Sequence, residues 1–183
     1  IIMILFYTAS KDATIYLQQP YQNTGIDEML EISKVYYGDT KDISRVLIQF
    51  DTTEISKSIA NGTIPSGSFT ASLQLKITKA EELAADFTIE ANPISGSWEM
   101  GTGTRFDNLT TNGATWIYRN GDNTTTNWYT TMNGITASYG LGVTGSWDGR
   151  GASWYTSSVA TQSFSYTSVS YTHLRAHETG RNL

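Results

Sequence analysis

Two histidines, His173 and His177, stand four residues apart and are followed directly by Glu178. On a helix that spacing sets both imidazoles on one face, which is half of a zinc-site pattern. The order does not suit hydrolysis. A His-Glu-x-x-His order places the general base between the ligands, whereas here Glu178 follows the second histidine and no third ligand accompanies the pair. Carboxylates offer a second chemistry: Glu81-Glu82, or Glu99 with Asp107, are the candidate glycosidase pairs, a mechanism that demands a fixed separation between the two groups. Asp107, Asp122 and Asp148 are candidate ligands for a loop-built calcium site, although no twelve-residue acidic loop is present and each also suits a plain turn. Cysteine is absent. That removes disulfides, thiolate zinc sites and a thiol nucleophile.

Aromatic side chains are the richest candidate set, with five tryptophans and eleven tyrosines in 183 residues. Trp128, Tyr129, Trp147, Trp154 and Tyr155 lie in Gly- and Thr-rich stretches, where an exposed ring can stack on a sugar. Of these, Trp128, Trp147, Trp154 and Tyr155 are the candidate ligand-binding residues. Asp148-Gly149-Arg150-Gly151 beside Trp147 adds polar groups of the kind a glycan site uses. The same rings would equally anchor loops or fill a subunit interface. Trp98 and Trp116 read instead as core residues that supply buried area. The net charge of -5, with Lys and Arg scattered, leaves no electrostatic footprint for nucleic acid. Ile1 to Phe6 is apolar but too short to cross a bilayer, and it lacks a basic flank or a small-residue cleavage site. It reads as an extension or a first strand, with Met3 as an alternative start.

The elements that must position these residues are strands. Ser44 to Asp51 is apolar and bounded by polar runs, which predicts a buried central strand. Leu73, Leu75 and Ile77 alternate with polar residues and predict a strand beside it. Further strands are expected over Asp12 to Leu17, Met29 to Val35, Phe87 to Ala91, Ala114 to Arg119, Trp128 to Met132 and Gln162 to Tyr166. Ile55 to Ala60 predicts a short helical turn ended by Asn61-Gly62, and Ala80 to Ala85 a loop or helical turn. A long loop from Pro93 to Gly113 would be anchored by Trp98 and Phe106. Arg45, on a mostly apolar strand, is expected to find a carboxylate such as Asp51 or Asp12. Many short strands with turns between them and no βαβ alternation predict an all-β fold, an antiparallel β-sandwich that is most simply a jelly roll. The length suits one domain.

Several short motifs in order carry a family likeness: Asp12-Ala13-Thr14-Ile15-Tyr16, Ser44 to Asp51, Leu73-Gln74-Leu75, Trp98-Glu99-Met100-Gly101-Thr102-Gly103 and Asn112-Gly113-Ala114-Thr115-Trp116. Together they resemble the DNRLRE-type β-sandwich domains, and within that group the structural proteins of marine tailed bacteriophages. The likeness runs over residues 7–168. It departs at Met100-Gly101, where the family usually has an acidic residue before the glycine, and in lacking a final Asp-x-Thr strand and a further tryptophan. The resemblance implies a non-catalytic phage tail, neck or fibre component, located in the virion and assembled with other virion proteins or with its own copies. It implies no cofactor, no nucleic acid and no membrane, with calcium as the one ion to consider. The alternative is a carbohydrate-binding module that attaches to a cell-surface glycan. A glycan-degrading enzyme ranks third. From Val169 onward the chain resembles the peptide obtained by translating sequencing-adapter DNA. On that expectation residues 169–183 are a non-native tail, the histidine pair carries no chemistry, and the 7–168 domain is C-terminally truncated with an open sheet edge.

Overall fold

A computed structural model of the chain describes residues 4–64, 72–79, 86–94, 96–110, 112–121, 126–128, 131–132, 135–137, 151–155 and 160–165. Across these residues the protein is all-β with one short helix. β1 (Ala9–Tyr16), β2 (Lys34–Tyr37) and β3 (Thr40–Phe50) form an antiparallel sheet in the order β1-β3-β2. The strand expected at Ser44 is therefore the central one. Its alternation sorts the side chains: Ile43 and Leu47 join the core, while Ser44 on the other face accepts from the Ser33 amide and hydroxyl. A two-residue turn at Gly38-Asp39 joins β2 to β3 and sets Tyr37 opposite Thr40.

α1 (Thr53–Ala60) follows directly. It starts two residues before the expected turn because the Asp51 carboxylate accepts the Thr53 N–H at 2.9 Å, satisfying one of the free donors at a helix start. β4 (Phe87–Ala91) keeps the alternation read from sequence. β5 (Tyr118–Asn120) pairs with β6 (Thr126–Asn127). β7 (Thr131–Met132), β8 (Ile135–Ala137) and β9 (Ser153–Tyr155) make a second three-stranded sheet. β10 (Ala160–Phe164) returns to pair with β4, with the Phe87 and Phe164 rings stacked at 5.0 Å.

Four expectations are corrected. Leu73, Leu75 and Ile77 lie in no strand, because β1 and β2 already occupy both sides of β3, and all three side chains are exposed. The Met29 to Val35 run becomes a strand only at Lys34: the Glu31 and Ser33 amides donate to the Thr14 and Ser44 hydroxyls and not to a neighbouring backbone. Ala114 to Ile117 is turn and not strand, since the Thr115 hydroxyl accepts the N–H groups of Ile117 and Tyr118. Phe106 is 88% exposed and does not anchor that loop, so of the two aromatics only Trp98 is buried beneath it. The expected loop at Ala80 to Ala85 lies outside the described residues.

The core is built from one sheet face and from loops. Ala13, Ile15 and Leu47 supply the sheet side, and Trp98, Ala114, Trp116, Trp128 and Ala152 cover it from the connecting segments. Three buried indoles bring large apolar area without needing long strands to carry it. The outer edge of β1 is closed as well: the Thr24 hydroxyl accepts the Thr14 N–H at 3.0 Å and donates to the Thr14 carbonyl at 2.7 Å. One side chain thereby replaces a strand at the middle of that edge.

Candidate functional site

β3 carries Arg45 into the tryptophan cluster. Its guanidinium lies 4.5 Å from the Trp116 ring and 4.8 Å from the Trp154 ring, so it is layered between two indoles. Nη1 donates to the Gly151 carbonyl at 2.7 Å. Burial pulls the group down to about 10, which leaves it protonated at neutral pH. Of the carboxylates expected to pair with it, Asp51 accepts from Thr53 at the helix start, and Asp12 stands opposite Ile48 while Ile15 stands opposite Arg45. The Trp116 and Trp154 faces and the Gly151 carbonyl surround the charge with electron-rich groups. Trp154 also bridges to Ile94, so this stack ties the 151–155 segment to the rest of the core.

A second polar centre lies under the long loop. Asn23 is fully buried and makes four hydrogen bonds: Nδ2 donates to the Met100 and Ala114 carbonyls, each at 2.8 Å, and Oδ1 accepts from the Gly25 and Gly103 amides. Beside it the Gln22 amide donates to the Thr104 carbonyl, and the Arg105 N–H meets the Asp27 carboxylate. Arg105 then pairs with Glu31 and covers the Tyr16 ring at 4.5 Å. Apart from the local bond between Asn23 and Gly25, these cross 74 to 91 residues of sequence and join the 22–31 loop to the 100–114 loop.

Tyr16 reports on this joint. Burial, and then the Glu31 carboxylate, raise its phenol to about 12 against the opposing charge of Arg105. An unfolded tyrosine ionises near 10, so the neutral phenol contributes stability that is fully present below pH 10 and is lost as pH rises toward 12. Unfolding free energy measured across that window should fall by about 2 kcal/mol in the parent protein. The Tyr16→Phe variant should show a flatter profile, and parallel profiles would contradict the assignment.

The residues expected to stack on a sugar are placed as follows. Trp128 is 2% exposed and its Nε1 donates to the Thr115 carbonyl at 2.9 Å, which makes it a core residue with no ring face free for a ligand. Trp154 is half-buried against the same core and gives one ring face to Arg45. Tyr155 ends β9, next to Trp154. Trp147 lies outside the described residues. Trp128 therefore serves as packing and not as a platform. Trp98 and Trp116 are core residues, as read from sequence.

Two of the acidic candidates lie among the described residues. Glu99 pairs with Lys11 at 3.2 Å, and the Asp107 carboxylate accepts from the Thr104 hydroxyl at 2.6 Å. Among the described residues no three His, Cys, Asp or Glu side chains stand together as a metal-holding group. Glu81, Glu82, Asp122, Asp148, His173 and His177 lie outside those residues.

Sequence reading missed what the surface presents. Ile26, Met29, Leu30 and Ile32 are all exposed on the loop that leads into β2, and the Met29 sulfur meets the Thr78 hydroxyl at 4.0 Å, next to exposed Ile77. Tyr36 and Tyr37 continue the apolar rim along β2. The signal was in the sequence, because Ile26, Met29, Leu30 and Ile32 do not keep the strict period of two that a half-buried strand needs. Comparison of the chain with protein-family models, with curated proteins and with solved structures gave no match.

Proposed function

We propose that this chain is a non-catalytic β-sandwich of a tailed-phage virion, a tail, neck or fibre component that acts through protein-protein assembly. The observation that carries this reading is the set of exposed apolar side chains at Ile26, Met29, Leu30 and Ile32, with the Met29 sulfur against the Thr78 hydroxyl, next to exposed Ile77. Contiguous apolar surface of that kind marks interaction sites in soluble proteins. The polar side chains inside the fold support it too, since Asn23, Arg45 and Arg105 are all engaged in holding loops in place. The virion location rests on the ordered motifs from Asp12 to Trp116, and it predicts that the gene lies among those for portal, sheath or baseplate proteins.

Sedimentation over a hundredfold range of concentration, run beside a glycan array, tests the reading. Association in the micromolar range with no glycan signal is the expected result. A chain that stays monomeric throughout and binds a glycan would replace assembly with carbohydrate attachment.

A further inference from the structure

The sheet has two edges, and they are treated differently. At β1 the Thr24 hydroxyl meets both outward backbone groups of Thr14. At β2 the Ser44 N–H donates to the Ser33 carbonyl, so the alternation aims Val35 and Tyr37 at β3 and turns the N–H and C=O of Lys34 and Tyr36 outward. Among the described residues nothing accepts from or donates to those groups. The flanking side chains Ile32, Tyr36 and Tyr37 are exposed. An open edge with apolar neighbours is a template for another strand.

The same chain carries a segment of matching character. Residues 4–8 are uncharged and strand-forming, stand outside the described strands, and make no backbone hydrogen bond among the described residues. Ile4 is 70% exposed, Leu5 48%, Phe6 84% and Tyr7 37%.

This arm cannot reach its own β2. Ala9 pairs with Phe50 at one end of β3, while Lys34 pairs with Ile43 toward the other end and across the strand. Seven residues along β3 and two strand spacings put the two about 25 Å apart. Five extended residues span at most about 17 Å, and they leave β1 in the opposite direction. An arm of residues 4–8 that pairs with the β2 edge must therefore come from another molecule.

Resting on the assembly reading above, we propose that the 4–8 arm of one copy adds as a fourth strand to the β2 edge of a second copy, and that two copies exchange arms reciprocally. Area selects the reciprocal form. The exposed side chains of one arm amount to roughly 450 Å², so one joint buries about 900 Å² in total, below the range of stable interfaces, and two joints bury about 1,800 Å², within it. A closed two-fold pair satisfies both arms and both edges, whereas single joints in a row would leave an unpaired arm at one end and an open edge at the other.

The absence of cysteine in the chain gives a clean test. Phe6→Cys chains are mixed with Lys34→Cys chains and treated with a short bis-maleimide, and in parallel Phe6→Asp and Tyr36→Pro variants are sedimented. Tyr36→Pro removes a donor that faces away from β3, so the native sheet pairing is retained; circular dichroism checks the fold of each variant. Covalent dimers in the mixture, and a dimer dissociation constant raised at least tenfold in both folded variants, are the expected results. A dimer that forms no cross-link and ignores Phe6→Asp would overturn arm exchange while leaving assembly standing. A parent chain that never self-associates would overturn arm exchange and remove self-assembly from the wider reading, leaving only assembly with other proteins.

Discussion

Replacing Asn23 with alanine should cost the fold about 4–6 kcal/mol, a large part of the stability of a domain this size. The side chain is fully buried and satisfies two carbonyls and two amides, those of Met100, Ala114, Gly25 and Gly103. Alanine strands all four, at about 1–3 kcal/mol each before relaxation recovers part of the loss. Space for repair is small: a Cβ on Gly113 would stand 2.3 Å from Asn23 Nδ2, and Gly113 holds φ at +83°. Urea unfolding followed by circular dichroism measures the loss, and a cost under 1 kcal/mol would mean that the loops do not depend on this residue. Asn23→Asp adds a second reading. Its carboxylate keeps the acceptor but sets negative oxygen against two carbonyls, so the protonated acid is favoured in the fold. With a pKa raised above its unfolded value, that variant should be more stable at pH 4 than at pH 7.

Asn23 also shows where sequence reading stops. Asn23-Thr24-Gly25 looks in sequence like any surface turn. Its burial depends on loops 77 to 91 residues away, which no local pattern encodes. The available signal was the set Gly101, Gly103 and Gly113 between Trp98 and Trp116, since glycines clustered near aromatics mark close backbone approach. Periodic elements were legible for the opposite reason. β3, β4 and α1 are each specified by their own residues, through an apolar run, a period of two, and a helical stretch bounded by Asp51 and Asn61-Gly62. Leu73 to Ile77 has the same alternation as β4 yet forms no strand, because a strand needs a free partner edge and β3 had none left. Trp128 and Phe106 exchanged roles likewise: the indole expected on the surface is buried, and the ring expected to anchor a loop is exposed. Composition names the residues able to do a job, and tertiary contacts decide which of them does it.

The tryptophan stack is where that decision carries the most energy after Asn23, and Trp116→Ala should lower stability by about 4 kcal/mol. Trp116 is fully buried, lies under the Arg45 guanidinium, and its carbonyl accepts the Gly151 N–H at 2.6 Å. The cavity left by an indole cannot close easily from the Gly151 side. Gly151 holds φ at +90°, and a Cβ there would already stand 2.6 Å from Arg45 Nη1 and 2.7 Å from the Trp116 ring. Part of the cost belongs to the cation and not to the cavity. A double-mutant cycle with Arg45→Met, which keeps the apolar stem, should isolate a coupling of about 1–2 kcal/mol between guanidinium and indole. Additive losses would reduce Arg45 to packing. The coupling has a structural consequence as well, because Arg45 also holds Trp154 and the Gly151 carbonyl. Arg45→Met should therefore loosen the 151–155 segment before the sheet melts. Faster hydrogen exchange at Ser153 to Tyr155, with β1 and β3 still protected, is the expected observation. Uniform exchange across both would mean that the stack and the sheet open as one unit.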